Sequence, residues 1–237
     1  MRLFSTAVVL FSLVAAAEEP AATTAAQAFA QIKEGNGRFV DGKSLHDDAT
    51  PKARIALAHT QHPHTSILTC ADSRVSPELL FDQGLGHLFT VRIAGNTAGN
   101  NSEGSLEYGV EHLGTHLLVV MGHVECGALN TTLNTPPGKS AGSNHLDKLV
   151  AEIRENIAPT VLTAEDLKDK TMAKAARANV DGVVRRLLAT SPLLKKKVDA
   201  GELVIVPALY TLETGKVEFW GPAVQQLEKA ARAPDKK

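Results

Sequence analysis

The sequence predicts an α/β fold: a mostly parallel central β-sheet, about four strands plus an edge strand, flanked by helices, with an N-terminal helical arm. Three observations predict it. Short β-branched or apolar runs alternate with stretches of helical spacing, the order that builds a parallel sheet through crossovers. The run His116 to Met121 (HLLVVM) is apolar without alternation, as a strand buried on both faces requires. No internal repeat or convincing linker divides the chain, so residues 23–232 read as a single catalytic domain.

Taken in order, the chain opens with Arg2, an uncharged apolar stretch from Leu3 to Val14, and the small residues Ala15, Ala16 and Ala17 before Glu18. This layout predicts a cleaved signal peptide over residues 1–17, too short to span a bilayer comfortably. The expectation is an exported, periplasmic protein with no stable membrane insertion after cleavage. A retained anchor is the competing reading. Ala25 to Val40 has the apolar spacing of a helix, with Phe29, Ile32 and Phe39 on its face, and Ala53 to His59 reads as a shorter one.

Thr65 to Thr69 (TSILT) and Leu88 to Ile93 (LFTVRI) read as strands, the first ending at Cys70 and the second at Ala94-Gly95-Asn96. Glu103 to Leu113 reads as a helix, His116 to Met121 as the buried strand, and Val124 to Leu133 turns helical. From Leu146 to Leu188 the pattern is largely helical, broken near Pro159 and capped again around Thr163 to Asp166. Leu203 to Tyr210 is a fourth strand, Val217 to Trp220 an edge strand, and Pro222 to Ala231 a short helix.

The chain has 237 residues, 43% hydrophobic and 22% charged, with a formal net charge of −1. That length and composition supply one substantial core. The near balance of charge gives no basic stripe, so nucleic acid is not an expected partner.

Two segments carry the chemistry: Cys70-Ala71-Asp72-Ser73-Arg74-Val75 and Gly122-His123-Val124-Glu125-Cys126-Gly127. Each directly follows a predicted strand, where open α/β sheets bind ligands. Two cysteines in an exported chain suggest a disulfide by default. A disulfide, however, has no use for His123, Asp72 or Arg74. Two thiolates and an imidazole suit zinc, and three protein ligands with a fourth position open is the catalytic pattern. Zinc with two thiolates and a neutral imidazole carries no net charge, so its surroundings must help activate water. Asp72 either accepts a hydrogen bond from that water while Arg74 holds the carboxylate, or itself takes the fourth position and closes the site. Taken alone, Asp72-Ser73-Arg74 also fits an ordinary helix cap with a surface ion pair. His62, His64, His87, His112 and His116 read as packed or solvated side chains.

These two segments, with Gly35-Asn36-Gly37-Arg38-Phe39 ahead of them, closely resemble the motifs of the β-class carbonic anhydrases. The likeness runs from about Gly35 to Leu129, with weaker support from Ala208 to Phe219. The resemblance implies one Zn²⁺ per chain on Cys70, His123 and Cys126, with Asp72 and Arg74 as the catalytic dyad beside it. It implies reversible hydration of carbon dioxide to bicarbonate and a proton, through attack by zinc-bound hydroxide. Gln61 matches a substrate-binding amide, and Gly127 a glycine whose N–H faces the substrate. Phe89, Ala94 and Tyr108 match positions lining an apolar pocket built across a dimer interface. The family thus implies a homodimer or higher even oligomer. The same ligands would also serve hydrolysis of carbon disulfide or carbonyl sulfide, whereas a storage or redox module would need neither Asp72, Arg74 nor Gln61.

Overall fold

The computed structural model describes residues 23–45 and 49–232, so the expected signal peptide lies outside the described residues. Strands form where β-branched and apolar residues run together. β1 (Thr65–Thr69), β2 (Leu88–Arg92), β3 (Leu117–His123) and β4 (Val204–Tyr210) are mutually parallel, and β5 (Val217–Phe219) runs antiparallel to β4. Their spatial order is β2-β1-β3-β4-β5. The mostly parallel sheet with one edge strand is the one the sequence predicts.

The helices are α1 (Ala25–Val40), α2 (Pro51–Ala56), α3 (Pro77–Leu80), α4 (Asn100–Glu111) and α5 (Gly127–Asn134). They continue with α6 (Asn144–Ile157), α7 (Ala173–Thr190), α8 (Pro192–Asp199) and α9 (Pro222–Ala231). None among the described residues is long and apolar enough to cross a membrane. Alternate residues of the central strands feed two cores. Ile67, Leu117, Val119 and Met121 pack with Phe29 and Ile32 of α1 and with Phe81. Leu68, Leu118 and Val120 pack against α4, α7 and α8 through Leu106, Val183 and Leu194.

Every residue of β1 and β3 is buried. β1 carries three hydroxyls into that interior, and each finds a partner, as burial demands. Thr69 donates to the Met121 carbonyl (2.9 Å), Ser66 pairs with Thr115 (2.8 Å), and Thr65 with His64 (2.8 Å).

The structure corrects several boundaries. The predicted helix restart near Thr163 does not propagate, and α7 begins only at Ala173. Asp166 does accept the Thr163 N–H and hydroxyl, at 2.7 Å each. The following residues offer no apolar face, since Leu167 is exposed, and Asp169 takes the Thr171 N–H (2.9 Å) into a local turn that competes with helix. α4 starts earlier than predicted because Ser102 accepts the Gly99 N–H (2.8 Å) and closes its first turn. α5 starts later, at Gly127, because Glu125 adopts a left-handed conformation (φ 55°). The one-turn α3 was not predicted.

Asn36 explains the Gly35–Phe39 motif. Its buried side chain donates to the carbonyls of Leu80 (3.0 Å) and Gly215 (2.9 Å) and accepts the Val217 N–H (2.9 Å). One amide thereby ties α1 to α3 and to the edge strand. Arg38 reaches Asp82 at 2.6 Å beside it. This motif is a clamp on the sheet, and the Val217 it holds is paired through Tyr210 with His123. Replacing Asn36 by Ala leaves those backbone groups unpaired and is expected to cost about 2–3 kcal/mol, read as a lowered thermal midpoint.

Candidate metal centre

The register of β1 on β3 sets the site. Thr69 lies opposite Met121, so Cys70, the next residue, arrives beside the Gly122-His123 end of β3. Cys126 is the N-cap residue of α5. Glu125, left-handed between them, turns the chain back so that Cys126 faces His123. Its N–H donates to the Thr171 carbonyl (2.9 Å), and its carbonyl accepts Arg74 Nη2 (3.2 Å). The donor atoms of Cys70, His123 and Cys126 all lie within 4.8 Å of one another, and all three residues are buried. No other group of this kind occurs among the described residues.

These atoms suit a metal better than a disulfide. The two sulfurs stand 4.0 Å apart and both cysteines are free. A disulfide needs about 2.05 Å. Two sulfurs each about 2.3 Å from one tetrahedral zinc lie a little under 4 Å apart. His123 Nδ1 donates to the Val124 carbonyl (2.8 Å), which fixes the tautomer and leaves Nε2 as a lone pair. That buried Nε2 has no hydrogen-bond partner. A buried acceptor without a partner is costly, and a cation between the three donors removes the cost.

The two thiols are coupled through their S···S contact. The Cys126 S–H bonded to the Cys70 sulfur pulls the Cys70 thiol down to about 4, against the opposing effect of burial. The same bond, with burial and the Cys70 charge, pushes Cys126 far up. Beside them, the Arg74 guanidinium holds the Asp72 carboxyl well below the usual carboxylate range. Arg74 Nε and Nη2 each reach an Asp72 oxygen at 2.9 Å, and the Arg74 backbone N–H adds a third bond at 2.9 Å. Asp72 Oδ2 lies 3.8 Å from His123 Nε2.

Residues 65–217 match the family model described as carbonic anhydrase. Carbonic anhydrase 2 of Mycobacterium tuberculosis is 36% identical over 199 residues, covering 82% of this chain and 92% of that one. The carbonic anhydrase of Mycolicibacterium smegmatis is 36% identical over 192 residues, 81% of this chain and 91% of that one. The solved structure of a Coccomyxa β-carbonic anhydrase in complex with acetazolamide superposes with a TM-score of 0.61 at 30% identity, covering 78% of this chain and 82% of that one. The chain belongs to the β-class carbonic anhydrases. Its reaction is the zinc-dependent, reversible hydration of carbon dioxide to bicarbonate and a proton.

Within one chain of this carbonic anhydrase the predicted residues fall into two groups. Asp72, Arg74 and Gly127 lie with the three donors. Gly127 is the first residue of α5, where helix N–H groups have no partner inside the helix, and it lines a cleft with Glu125, Lys168 and Met172. Gln61, Phe89 and Tyr108 lie elsewhere. Phe89 is opposite Ser66, near the amino end of the sheet, with Tyr108 beside it (ring centroids 6.1 Å apart). Gln61 and half-exposed Tyr108 share a groove with Arg54 and Leu57. Ala94 opens the 3-10 turn Ala94–Asn96 after β2, whose Gly95 N–H reaches Cys70 Sγ.

Two participants carry no sequence signal of their own. Arg92 donates to the carbonyls of Cys70 (3.3 Å) and Asp72 (2.7 Å), and the Gly95 N–H donates to Cys70 Sγ (3.3 Å). Both follow from β2 lying beside β1. The bond between the two sulfurs favours ionisation of Cys70 and opposes that of Cys126. Metal uptake is therefore expected to release fewer protons from that pair than the nearly two that ordinary thiols would release. Calorimetric titrations in buffers of different ionisation enthalpy measure the count.

Proposed function

We propose that Cys70, His123 and Cys126 hold one zinc ion per chain and that the Asp72–Arg74 pair keeps the fourth position open. The observation that carries this reading is the engagement of both Asp72 oxygens by Arg74. A carboxylate so held has both oxygens engaged and stays ionised, although Oδ2 lies 3.8 Å from His123 Nε2. Zinc supplies the Lewis acidity that makes water a nucleophile near neutral pH.

Every other task falls to the chain. Ionised Asp72 can only accept, so it selects an oxygen that still bears a proton and orients it. The Gly127 N–H, free at the head of α5, is a donor for the oxygen of carbon dioxide on which negative charge develops. The buried apolar wall of Val124, Leu129 and Ile153 around the thiols excludes bulk water and favours the uncharged substrate. Gln61, Phe89 and Tyr108 reach this site from a second copy of the chain. Exposed Ile55, Leu85 and Tyr108 near their groove, together with the open edge of β2, support a homodimer, the smallest of the even oligomers. The protein acts outside the cytoplasm, in the periplasm, after removal of residues 1–17. Amino-terminal sequencing of the exported protein checks that: a chain starting near Glu18 is expected, and one starting at Met1 overturns it.

Stopped-flow measurement of carbon dioxide hydration tests the site. Zinc-loaded protein is expected to be active, and Cys126→Ser to lose both metal and activity. Asp72→Asn is expected to retain zinc yet lower kcat/KM by about 10–100-fold. Full activity in Cys126→Ser would sink the ligand assignment. In a cobalt-substituted sample at neutral pH, four protein ligands with no exchangeable water would sink the open site.

A further inference from the structure

The buried amides Asn156 and Asn179 lie behind the metal centre and touch none of its donors. Asn156 stands on α6 and Asn179 on α7, and both are buried. Asn156 Nδ2 donates to Asn179 Oδ1 (3.0 Å), and Asn179 Nδ2 donates to the Gly95 carbonyl (2.8 Å) and, more weakly, to Asn96 Oδ1 (3.3 Å). The Gly95 N–H then donates to Cys70 Sγ (3.3 Å). Four groups thus run in one line from a helix–helix contact to a sulfur.

The line is built into the packing. α6 and α7 meet where Gly182 has no side chain, and a Cβ there would sit 2.4 Å from Asn156 Cβ. Gly95 has φ +67°, and a Cβ on it would come within 2.6 Å of Ile153 Cδ1 on α6. The turn is fastened to β1 by Ile93 N–H to the Thr69 carbonyl (2.9 Å) and Ala71 N–H to the Ile93 carbonyl (3.3 Å). Gly95 nevertheless has two soft dihedrals, and glycine alone would let its N–H swing. The next peptide is held from both sides, by its Asn96 N–H on the Ile93 carbonyl (2.8 Å) and by the Asn179 amide on its Gly95 carbonyl (2.8 Å), which together remove that freedom.

We propose that Asn179, held by Asn156, is a positioning residue for the metal centre: by fixing the Gly95 peptide it keeps an N–H aimed at the Cys70 sulfur. An N–H bond to a thiolate draws charge from sulfur and lowers its donation to the metal. It also holds the thiolate where the other two ligands need it. Charged partners are not required, which suits a region packed with Leu129, Ile153 and Ala176. The inference rests on Cys70 being a metal ligand.

The experiment compares Asn179→Ala, Asn156→Ala and the core control Val183→Ala in zinc- and cobalt-loaded protein. Zinc affinity is read by chelator competition, and the cobalt form by its thiolate-to-metal charge-transfer band. Asn179→Ala is expected to weaken zinc binding by about 10–100-fold, because the lost positioning outweighs the stronger donation, and to move the band to longer wavelength, because the sulfur lone pairs rise when the N–H is lost. Asn156→Ala is expected to act in the same direction with smaller effect. Val183→Ala, fully buried but off the line, is expected to lower the melting temperature and leave both readouts in place. Unchanged affinity and an unshifted band in both asparagine variants would overturn the proposal. If Asn179→Ala does not fold, Asn156→Ala decides alone. Absence of any thiolate band in the unsubstituted protein would instead refute the ligand assignment on which the inference rests.

Discussion

The pairing of β1 with β3 is the constraint from which the metal centre follows. Cys70 and His123 come from segments more than fifty residues apart, and they meet because Thr69 and Met121 are partners in one parallel ladder. A parallel ladder fixes both which strand ends meet and which face each side chain takes. A slip of one residue would turn Cys70 to the opposite face. The register is protected by burial of every residue in both strands, with Ile67 and Leu68 committed to opposite cores. The Thr69 hydroxyl, bonded across to the Met121 carbonyl, marks the same register one residue before the ligand. The cores on the two faces therefore serve the chemistry at the end of the sheet.

Charge organises what surrounds that end. Zinc with two thiolates and one imidazole is neutral, so the centre can sit among alanine, leucine and isoleucine side chains without the penalty of an isolated buried ion. The polar groups that do approach are neutral N–H donors and two arginines. Gly95 donates to Cys70, and Arg74 is paired with Asp72. Arg92 donates to the carbonyls of Cys70 and Asp72 and so holds the first motif's backbone in shape. The arrangement keeps ionised groups at the rim and apolar ones behind the sulfurs. An uncharged gas and a charged product require that division.

The parts legible in the sequence were those encoded locally. β3 declared itself because five successive apolar residues, Leu117 to Met121, have one economical use in an α/β chain, and β1 because a β-branched run stops at a cysteine. His123 and Cys126, three residues apart after a strand, and Asp72 and Arg74, two residues apart, were readable for the same reason. The boundaries that failed depend on distant partners. Residues 163–171 carry a cap at Asp166 but leave their apolar side chains, Ala164 and Leu167, exposed, and the Thr171 carbonyl is engaged by Glu125 of another segment. Gln61, Phe89 and Tyr108 entered through family resemblance alone, and one chain does not bring them to the metal. Arg92, Gly95 and Asn179 had no local signature, because their roles exist only once β2 and α7 are packed beside β1 and β3.

Glu125 joins the two halves of the site. A left-handed backbone at a non-glycine residue costs roughly 1–3 kcal/mol and persists only where its surroundings compensate. Here both of its backbone groups are used: the N–H on the Thr171 carbonyl and the carbonyl on Arg74. The bend that brings Cys126 back toward His123 is thus the same bend that presents a carbonyl to Arg74. Arg74 is about half exposed, so its ion pair with Asp72 is weakened by solvent and would be a loose restraint by itself. The tie to Glu125, together with the Arg74 backbone N–H on Asp72, supplies direction that the Coulomb attraction lacks. Metal ligation from the second motif and restraint of the carboxylate in the first therefore depend on one residue's conformation, and neither motif forms its part of the site without the other.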